Sequence, residues 1–125
     1  LDRARPAALQ QTRLNDTKAR AQRMAKELRT SIEQAERCLK IAKQASRNPR
    51  RIKNLDSAEK KLMLGLRDLK VLALMDQAQI RDATIAGRHA KTMKESLAAS
   101  QRLYRVVIQE GKRLQAPLTA ALKKF

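Results

Sequence analysis

The residues best placed to do chemistry in this sequence are lysines and arginines that recur at helical spacings. Lys18, Arg29 and Lys40 are 11 residues apart, which is close to three turns of an α-helix, so they would align along one edge of a helix. Lys43 and Arg47 extend this edge, and together these residues form the first basic row. Aligned cations of this kind neutralise phosphate groups, each contact releasing counterions and adding salt-dependent affinity.

More cations continue this pattern along the chain. A short basic turn extends the edge past the end of the first helix, with Arg50, Arg51 and Lys53. Nearer the C-terminus lies the second basic row, which consists of Lys91, Lys94, Arg102, Arg105 and Lys112. Arg113 repeats the 11-residue spacing from Arg102. We expect these two rows and the turn to lie on outer helix surfaces and to contact a nucleic-acid backbone.

Acidic residues that could neutralise the rows are sparse. Glu33 and Arg37, and likewise Glu36 and Lys40, are spaced to form ion pairs one helical turn apart. The two glutamates lie among basic residues, where ion pairing lowers the pKa of a carboxyl group rather than preparing a general acid. The charge balance of the rows therefore favours binding of anions over catalysis.

Other residue groupings that catalyse reactions are missing from the sequence. His89 is the only histidine and has no cluster of cysteines or acids around it, whereas a zinc site needs three or four ligands. Gly65 and Gly87 are isolated, so no glycine-rich loop is present to cradle a phosphate. We expect a non-enzymatic protein without a metal or cofactor.

The amino-acid composition of the chain limits the class of partner that it can bind. The chain has 125 residues, with 29 Lys and Arg against 12 Asp and Glu, which gives a formal net charge of +17. Its isoelectric point near 11.1 is typical of nucleic-acid-binding domains. Acidic proteins and anionic membranes are the alternative partners for so basic a chain. A membrane is the weakest choice, because the apolar residues of the first helix are Ala-rich and lack aromatic anchors.

The elements that carry these residues are predicted to be helices. Ala and Leu dominate the apolar content, there is no Trp, and 3 Gly and 3 Pro leave few helix breakers. The prediction is a single all-α domain over residues 1–125: an elongated antiparallel bundle of about three long helices plus short terminal helices. We also expect self-association or a larger assembly, since an aromatic-poor bundle has a thin core.

The helix boundaries follow from prolines and capping patterns. Nothing from residue 7 to 46 breaks a helix apart from a candidate internal cap at Asp16-Thr17, and Asn48-Pro49 ends it. Capping boxes are predicted at residues 56–59 and 76–79, the second marking a turn that competes with one near Gly87. Pro117 is expected to open a short final helix.

Apolar spacing predicts which residues of these helices are buried. The segment 62–75 has apolar residues on nearly all faces, so we expect it to be the most buried helix. Cys38 falls close to the apolar side of the first helix, where a buried thiol is expected. The last long helix carries a coiled-coil-like apolar seam, which comprises Met93, Leu97, Ser100, Tyr104, Val107, Gly111 and Leu114.

A few features of the sequence bear on its origin and cellular location. It opens with Leu-Asp, which fits a domain excised from a longer protein, and it shows no signal-peptide pattern. No stretch of about 18 uncharged apolar residues is present. A cytoplasmic location is expected.

The segment 45–55 resembles a motif of known proteins. It reads ASRNPRRIKNL and is similar to the Asn-Pro-containing turn of the helical, basic secretion-signal domains on type IV secretion effectors and relaxases. The likeness covers about a dozen residues, and the second such turn of those domains is missing. In size and charge alone the chain also resembles the small helical subunits that line nucleoprotein complexes such as CRISPR effectors. Neither likeness assigns a family.

Two functional hypotheses follow. The first is a non-catalytic, sequence-neutral binder of the RNA or DNA backbone, as a module or as a subunit of a nucleoprotein assembly. Sequence-neutral binding is expected because Tyr104 lies on the apolar side of its helix and Phe125 is terminal, so neither offers a base-stacking platform. The second is a protein-interaction or secretion-signal bundle that binds an acidic partner. RNA and DNA, single or double strand, remain open.

Overall fold

The computed structural model describes the backbone of residues 4–68 and 71–125 and the side chains of residues 8–67 and 71–125. It confirms the predicted all-α bundle. The helices are α1 (Ala4–Arg47), α2 (Ile52–Asp68), α3 (Gln77–Arg88) and α4 (Met93–Leu122). Two short 3-10 turns, Pro49–Arg51 and Val71–Leu74, precede α2 and α3.

The first helix is one continuous rod of 44 residues, about 66 Å long. The predicted internal break at Asp16-Thr17 is wrong, because the Thr17 hydroxyl donates to the Arg13 carbonyl oxygen at 2.8 Å instead of capping a new helix. The helix ends at Arg47, as predicted. The Asn48 side chain then accepts a hydrogen bond from the Arg50 N–H at 3.2 Å, which starts the 3-10 turn.

The second helix differs from its prediction at both ends. The 3-10 turn runs directly into α2 at Ile52, so the predicted cap at residues 56–59 lies inside a helix. The segment 62–75 is not the most buried helix: α2 ends at Asp68, while Leu64 and Leu74 are 59% and 55% exposed. Part of this segment lies in the connection between α2 and α3, and some of its apolar residues are therefore at the surface. Leu69 lies outside the described residues.

The last two helices begin at side-chain caps. Asp76 caps α3 by accepting the Gln79 N–H at 3.2 Å, as predicted. The turn near Gly87 also exists, and Thr92 caps α4 by accepting the Glu95 N–H at 3.2 Å. The apolar seam predicted for this helix is confirmed in its middle part, where Leu97, Tyr104, Val107 and Gly111 are buried. Ser100 and Leu114 are partly buried, and Met93 at the start of the helix is 51% exposed.

Pro117 does not open a separate helix; it lies inside α4. A proline inside a helix removes one backbone hydrogen bond. Here the proline is exposed, and Leu114 and Leu118 on either side of it pack against the core. Because Leu114 and Leu118 pack against the core, α4 continues as a helix to Leu122.

The helices enclose one core and run antiparallel to their neighbours. Gly65 of α2 lies beside Ser31 of α1, and the start of α2 lies beside the end of α1. Gly111 of α4 lies beside Ile32 of α1, and the start of α4 lies beside the end of α1. The end of α3 meets the start of α4, where Gly87 faces Ala99. Thus α1 and α4 form the centre of the bundle, with α2 packed on α1 and α3 packed on α4.

The first part of α1 extends past the core. The buried residues of α1 run from Leu28 to Ala45, whereas Leu14 and Met24 are 52% and 38% exposed. The C-terminal part of α4 accompanies this extension, so that Leu14 and Phe125 line one groove. The bundle is therefore a four-helix body with a two-helix arm.

Candidate nucleic-acid interface

The first basic row lies on a definite side of α1. Ile32 faces α4, and Ser31 faces α2. Because each residue turns the helix by about 100°, Ser31 lies about 100° to one side of Ile32, and Arg29 lies about 60° to the other side. Lys18, Lys40, Lys43 and Arg47 fall within about 20–80° of Ile32 on the same side as Arg29. The first basic row is therefore turned away from the side of α1 that packs on α2, and Lys40, at the edge of the row, also lines a groove between the two helices.

Most of the second basic row has the matching orientation on α4. Gly111 faces α1, while Glu110 faces α3, where it accepts the backbone N–H of Asp76 at 2.6 Å. Lys94, Arg105 and Lys112 lie about 100–120° from Gly111 on the side opposite to Glu110. These residues are therefore turned away from α3.

The two rows lie on the same side of the α1–α4 pair. In two antiparallel helices that face each other, rotations of equal sign away from the contact line lead to one common side. We name this side the front face, and α2 and α3 cover the opposite side. Its basic residues are Lys18, Arg29, Lys40, Lys43 and Arg47 of α1 with Lys94, Arg105 and Lys112 of α4.

The register of the helices brings the rows together. Counting from the Ile32–Gly111 contact, Arg29 lies within about 3 Å of the level of Lys112 along the helix axes, and Lys40 within about 3 Å of the level of Arg105. The axes of packed helices are about 8–10 Å apart. A ligand on the front face can therefore contact cations of both rows at once.

The cations of the front face are free to bind a ligand. Each of them is exposed. In residues 8–67 and 71–125 the one ion pair within 4.0 Å joins Arg113 to Glu110. The predicted pairs Glu33–Arg37 and Glu36–Lys40 are therefore not formed, because these exposed side chains extend into solvent.

The remaining predicted contact residues lie off the front face. Arg50, Arg51 and Lys53 are exposed at the end of the bundle, on the turn and at the start of α2. Lys91 precedes α4 at the same end, because Pro49 and Lys94 line one cavity there. Arg102 is exposed on the edge of α4 that points away from α1.

Arg113 continues the spacing of the second basic row but has a structural partner. Its Nε donates to a Glu110 carboxylate oxygen at 2.8 Å, and its guanidinium also donates to the Leu74 carbonyl oxygen at 3.0 Å. The hydrogen bond from Arg113 is the main cause that lowers the pKa of Glu110. Spacing alone does not separate Arg113 from the row, because its partners, Glu110 and the Leu74 carbonyl oxygen, are brought to it by the packing of α4.

The core beneath the interface holds two titratable groups. Cys38 is buried, as predicted, and burial raises its pKa to about 11, so its thiol is protonated at neutral pH. The Tyr104 hydroxyl is buried without a hydrogen-bond partner. Glu59 and Ser100 lie near this hydroxyl but outside hydrogen-bonding geometry, and burial is the main cause that raises the pKa of Tyr104. Both groups are inert parts of the core.

Other kinds of site are not seen in the described residues. They contain no group of three or more His, Cys, Asp or Glu that could hold a metal ion. None of the helices in residues 4–68 and 71–125 is both long enough and apolar enough to cross a bilayer. In comparisons with known proteins, no family model, no curated protein and no solved structure matches this chain at a significant level.

Proposed function

We propose that this chain binds the phosphate backbone of nucleic acid through the front face, without catalysis and without reading base sequence. The observation that carries this proposal is the placement of exposed cations from α1 and α4 on one side of the bundle, where they form no ion pair with any side chain of residues 8–67 and 71–125. Contacts to phosphates position a protein on nucleic acid and carry no sequence information directly.

The geometry supports a backbone-directed mode in two further respects. From Arg29 to Arg47 the first basic row spans about 27 Å, the length of several nucleotides of a duplex strand. The one tyrosine is fully buried, so it cannot stack on a base. The one phenylalanine, Phe125, is 48% exposed and lies in the groove beside Leu14. A role as one subunit of a nucleoprotein assembly is compatible with this mode, since an assembly would supply further contacts.

A charge-neutralised variant tests the front face. Arg29→Gln, Lys43→Gln, Arg105→Gln and Lys112→Gln together remove front-face charge and leave the core untouched. Each lost phosphate contact lowers the slope of log K against log salt by about 0.9, so we expect the slope to fall by roughly 3–4. Binding should weaken alike for every sequence tested.

A matched control removes the same charge from the opposite side. Lys60 and Arg67 of α2 and Arg81 and Arg88 of α3 are all exposed. Their replacement by Gln should leave the slope nearly unchanged, because charges beyond a Debye length of about 8 Å are screened at physiological salt. Equal losses in the two variants would show that binding follows net charge and not the front face.

A second function, binding to an acidic protein, is favoured by the arm. A groove of about 920 Å³ between α1 and α4 has apolar walls that include Leu14 and Phe125, with Lys18 and Lys124 at its edges. An amphipathic helix with carboxylates beside its apolar face would fit this combination. Loss of partner binding on Leu14→Gln, with nucleic-acid affinity unchanged, would support this second function.

A further inference from the structure

A separate groove between α1 and α2 has an unusual set of side chains. It measures about 560 Å³ and follows two facing stripes, one on each helix. Its cations are Arg37, Lys40, Arg51 and Lys61. Its polar neutral side chains are Gln34, Gln44, Asn54 and Ser57. Of the side chains that the structure describes, no carboxylate lines it, and Ile41 and Ala58 complete its walls.

This lining is built for an anion with several acceptor oxygens. The guanidinium and ammonium groups donate only, and the amides and hydroxyl can also donate. Arg37 and Lys61 form no ion pair within 4.0 Å in the part of the chain that the structure describes. Among the described residues, the buried Gln34 side-chain oxygen has no hydrogen-bond partner.

Size and charge narrow the class of anion. The stripe on α1 runs from Gln34 to Gln44, which is about 15 Å along the helix. One phosphate group carries about −1.5 to −2 and would leave much of the positive charge of the groove unbalanced. A run of linked phosphates would fill the length and match the charge better.

We propose that the α1–α2 groove binds a compact polyphosphate, either inorganic or the phosphate tail of a nucleoside triphosphate. The groove lies between α1 and α2 and adjoins the front face at Lys40, which belongs to both. Its other cations, Arg37, Arg51 and Lys61, are not front-face residues. Changes at Arg37 and Lys61 therefore test the polyphosphate site without altering a residue of the proposed nucleic-acid interface.

Calorimetric titration with sodium tripolyphosphate at about 150 mM salt tests the site. The test variant is Arg37→Gln with Lys61→Gln, which spares every residue of the front face. Each charge-assisted hydrogen bond removed should weaken binding by roughly tenfold or more. The control variant, Lys94→Gln with Lys112→Gln, removes equal charge from the front face and should bind tripolyphosphate like the unmodified protein.

The outcomes separate this site from generic attraction to a basic protein. Loss of binding in the test variant alone, with helix content and nucleic-acid affinity unchanged, supports the groove. Equal losses in both variants, unchanged binding in the test variant, or no binding to the unmodified protein overturns it. ATP as a competitor then distinguishes the two sources, since it displaces bound tripolyphosphate only if the groove accepts a nucleotide.

Discussion

Gly111 of α4 and Ile32 of α1 meet so closely that a Cβ at position 111 would lie 2.8 Å from the Ile32 Cγ1 atom. Ile is branched at Cβ, and its χ1 angle in a helix is nearly fixed. This contact sets how near the two central helices approach and how each is rotated. It therefore positions the two basic rows on one face.

Gly111→Ala should destabilise the protein despite the better helix propensity of Ala. Overpacking against Ile32 costs about 1–3 kcal/mol, and replacing a mid-helix Gly returns about 0.5–1 kcal/mol. We expect a net loss of up to about 2.5 kcal/mol in the free energy of unfolding, measured by urea titration of the helical circular dichroism signal.

Two controls isolate the steric cause. Gly65 also lies inside a helix, but the nearest atom to an added Cβ, Ser31 Oγ, is 4.0 Å away. Gly65→Ala should therefore stabilise by about 0.5–1 kcal/mol. In an Ile32→Ala background, Gly111→Ala should no longer destabilise; a loss that persists there would show that Ile32 is not its cause.

Acid should weaken the hydrogen bonds that join α4 to the start of α3. Arg113 and the Asp76 N–H hold the Glu110 carboxylate, so the pKa of Glu110 lies below its ordinary value. The stabilisation is fully present above the unfolded-state pKa of about 4.3 and is lost as pH falls through the lower folded-state value. The contribution of Glu110 to the unfolding free energy should therefore stay constant from pH 7 to about pH 5 and decrease below it.

Glu110→Gln should reduce this acid dependence and lower stability at pH 7. The loss at neutral pH should be about 1–3 kcal/mol, since hydrogen bonds to a charged group are weakened. Asp82→Asn provides the comparison, because Asp82 is an exposed acid on α3. A Glu110→Gln protein as acid-sensitive as the Asp82→Asn protein would contradict this role for Glu110.

Tyr104→Phe should cost no stability. The hydroxyl is buried without a partner, and an unsatisfied buried polar group carries a penalty of about 1–3 kcal/mol. Its removal should therefore leave the free energy of unfolding unchanged or raise it by about 1 kcal/mol. Tyr104→Leu should destabilise, because the largest fully buried side chain loses volume. A clear loss on Tyr104→Phe would show that Glu59 or Ser100 bonds to the hydroxyl.

Local signals in the sequence predicted a helix boundary correctly where a single residue determines it. Pro49 ends α1, and Asp76 starts α3 at the residue expected of a cap. The predictions at residues 56–59 and at Pro117 were wrong for a common reason. Each of these patterns can occur at the start of a helix or inside one. Packing against α1 places both of them inside a helix.

The arrangement of the site depended on tertiary contacts that spacing does not contain. Periodicity predicted that each basic row occupies one edge of its own helix. That the rows share one face follows from the Ile32–Gly111 approach and from the packing of α2 and α3 on the other side. The groove formed by Arg37 and Lys61 was likewise not predicted, because these residues come from two helices that only the turn at Pro49–Arg51 brings together.

The central claim is that this chain binds nucleic-acid backbone, and the affinity of the unmodified protein tests it most directly. Protein freed of copurifying nucleic acid by a high-salt wash would be titrated into labelled RNA and DNA, single- and double-stranded. Each probe would be about 30 nucleotides long, enough to span the front face.

Fluorescence anisotropy at several salt concentrations gives both the Kd and the salt slope. We expect at least one probe to bind more tightly than about 1 µM at 150 mM salt, with affinity falling steeply as salt rises. Binding weaker than this for every probe, or an affinity that does not change with salt, would contradict the claim.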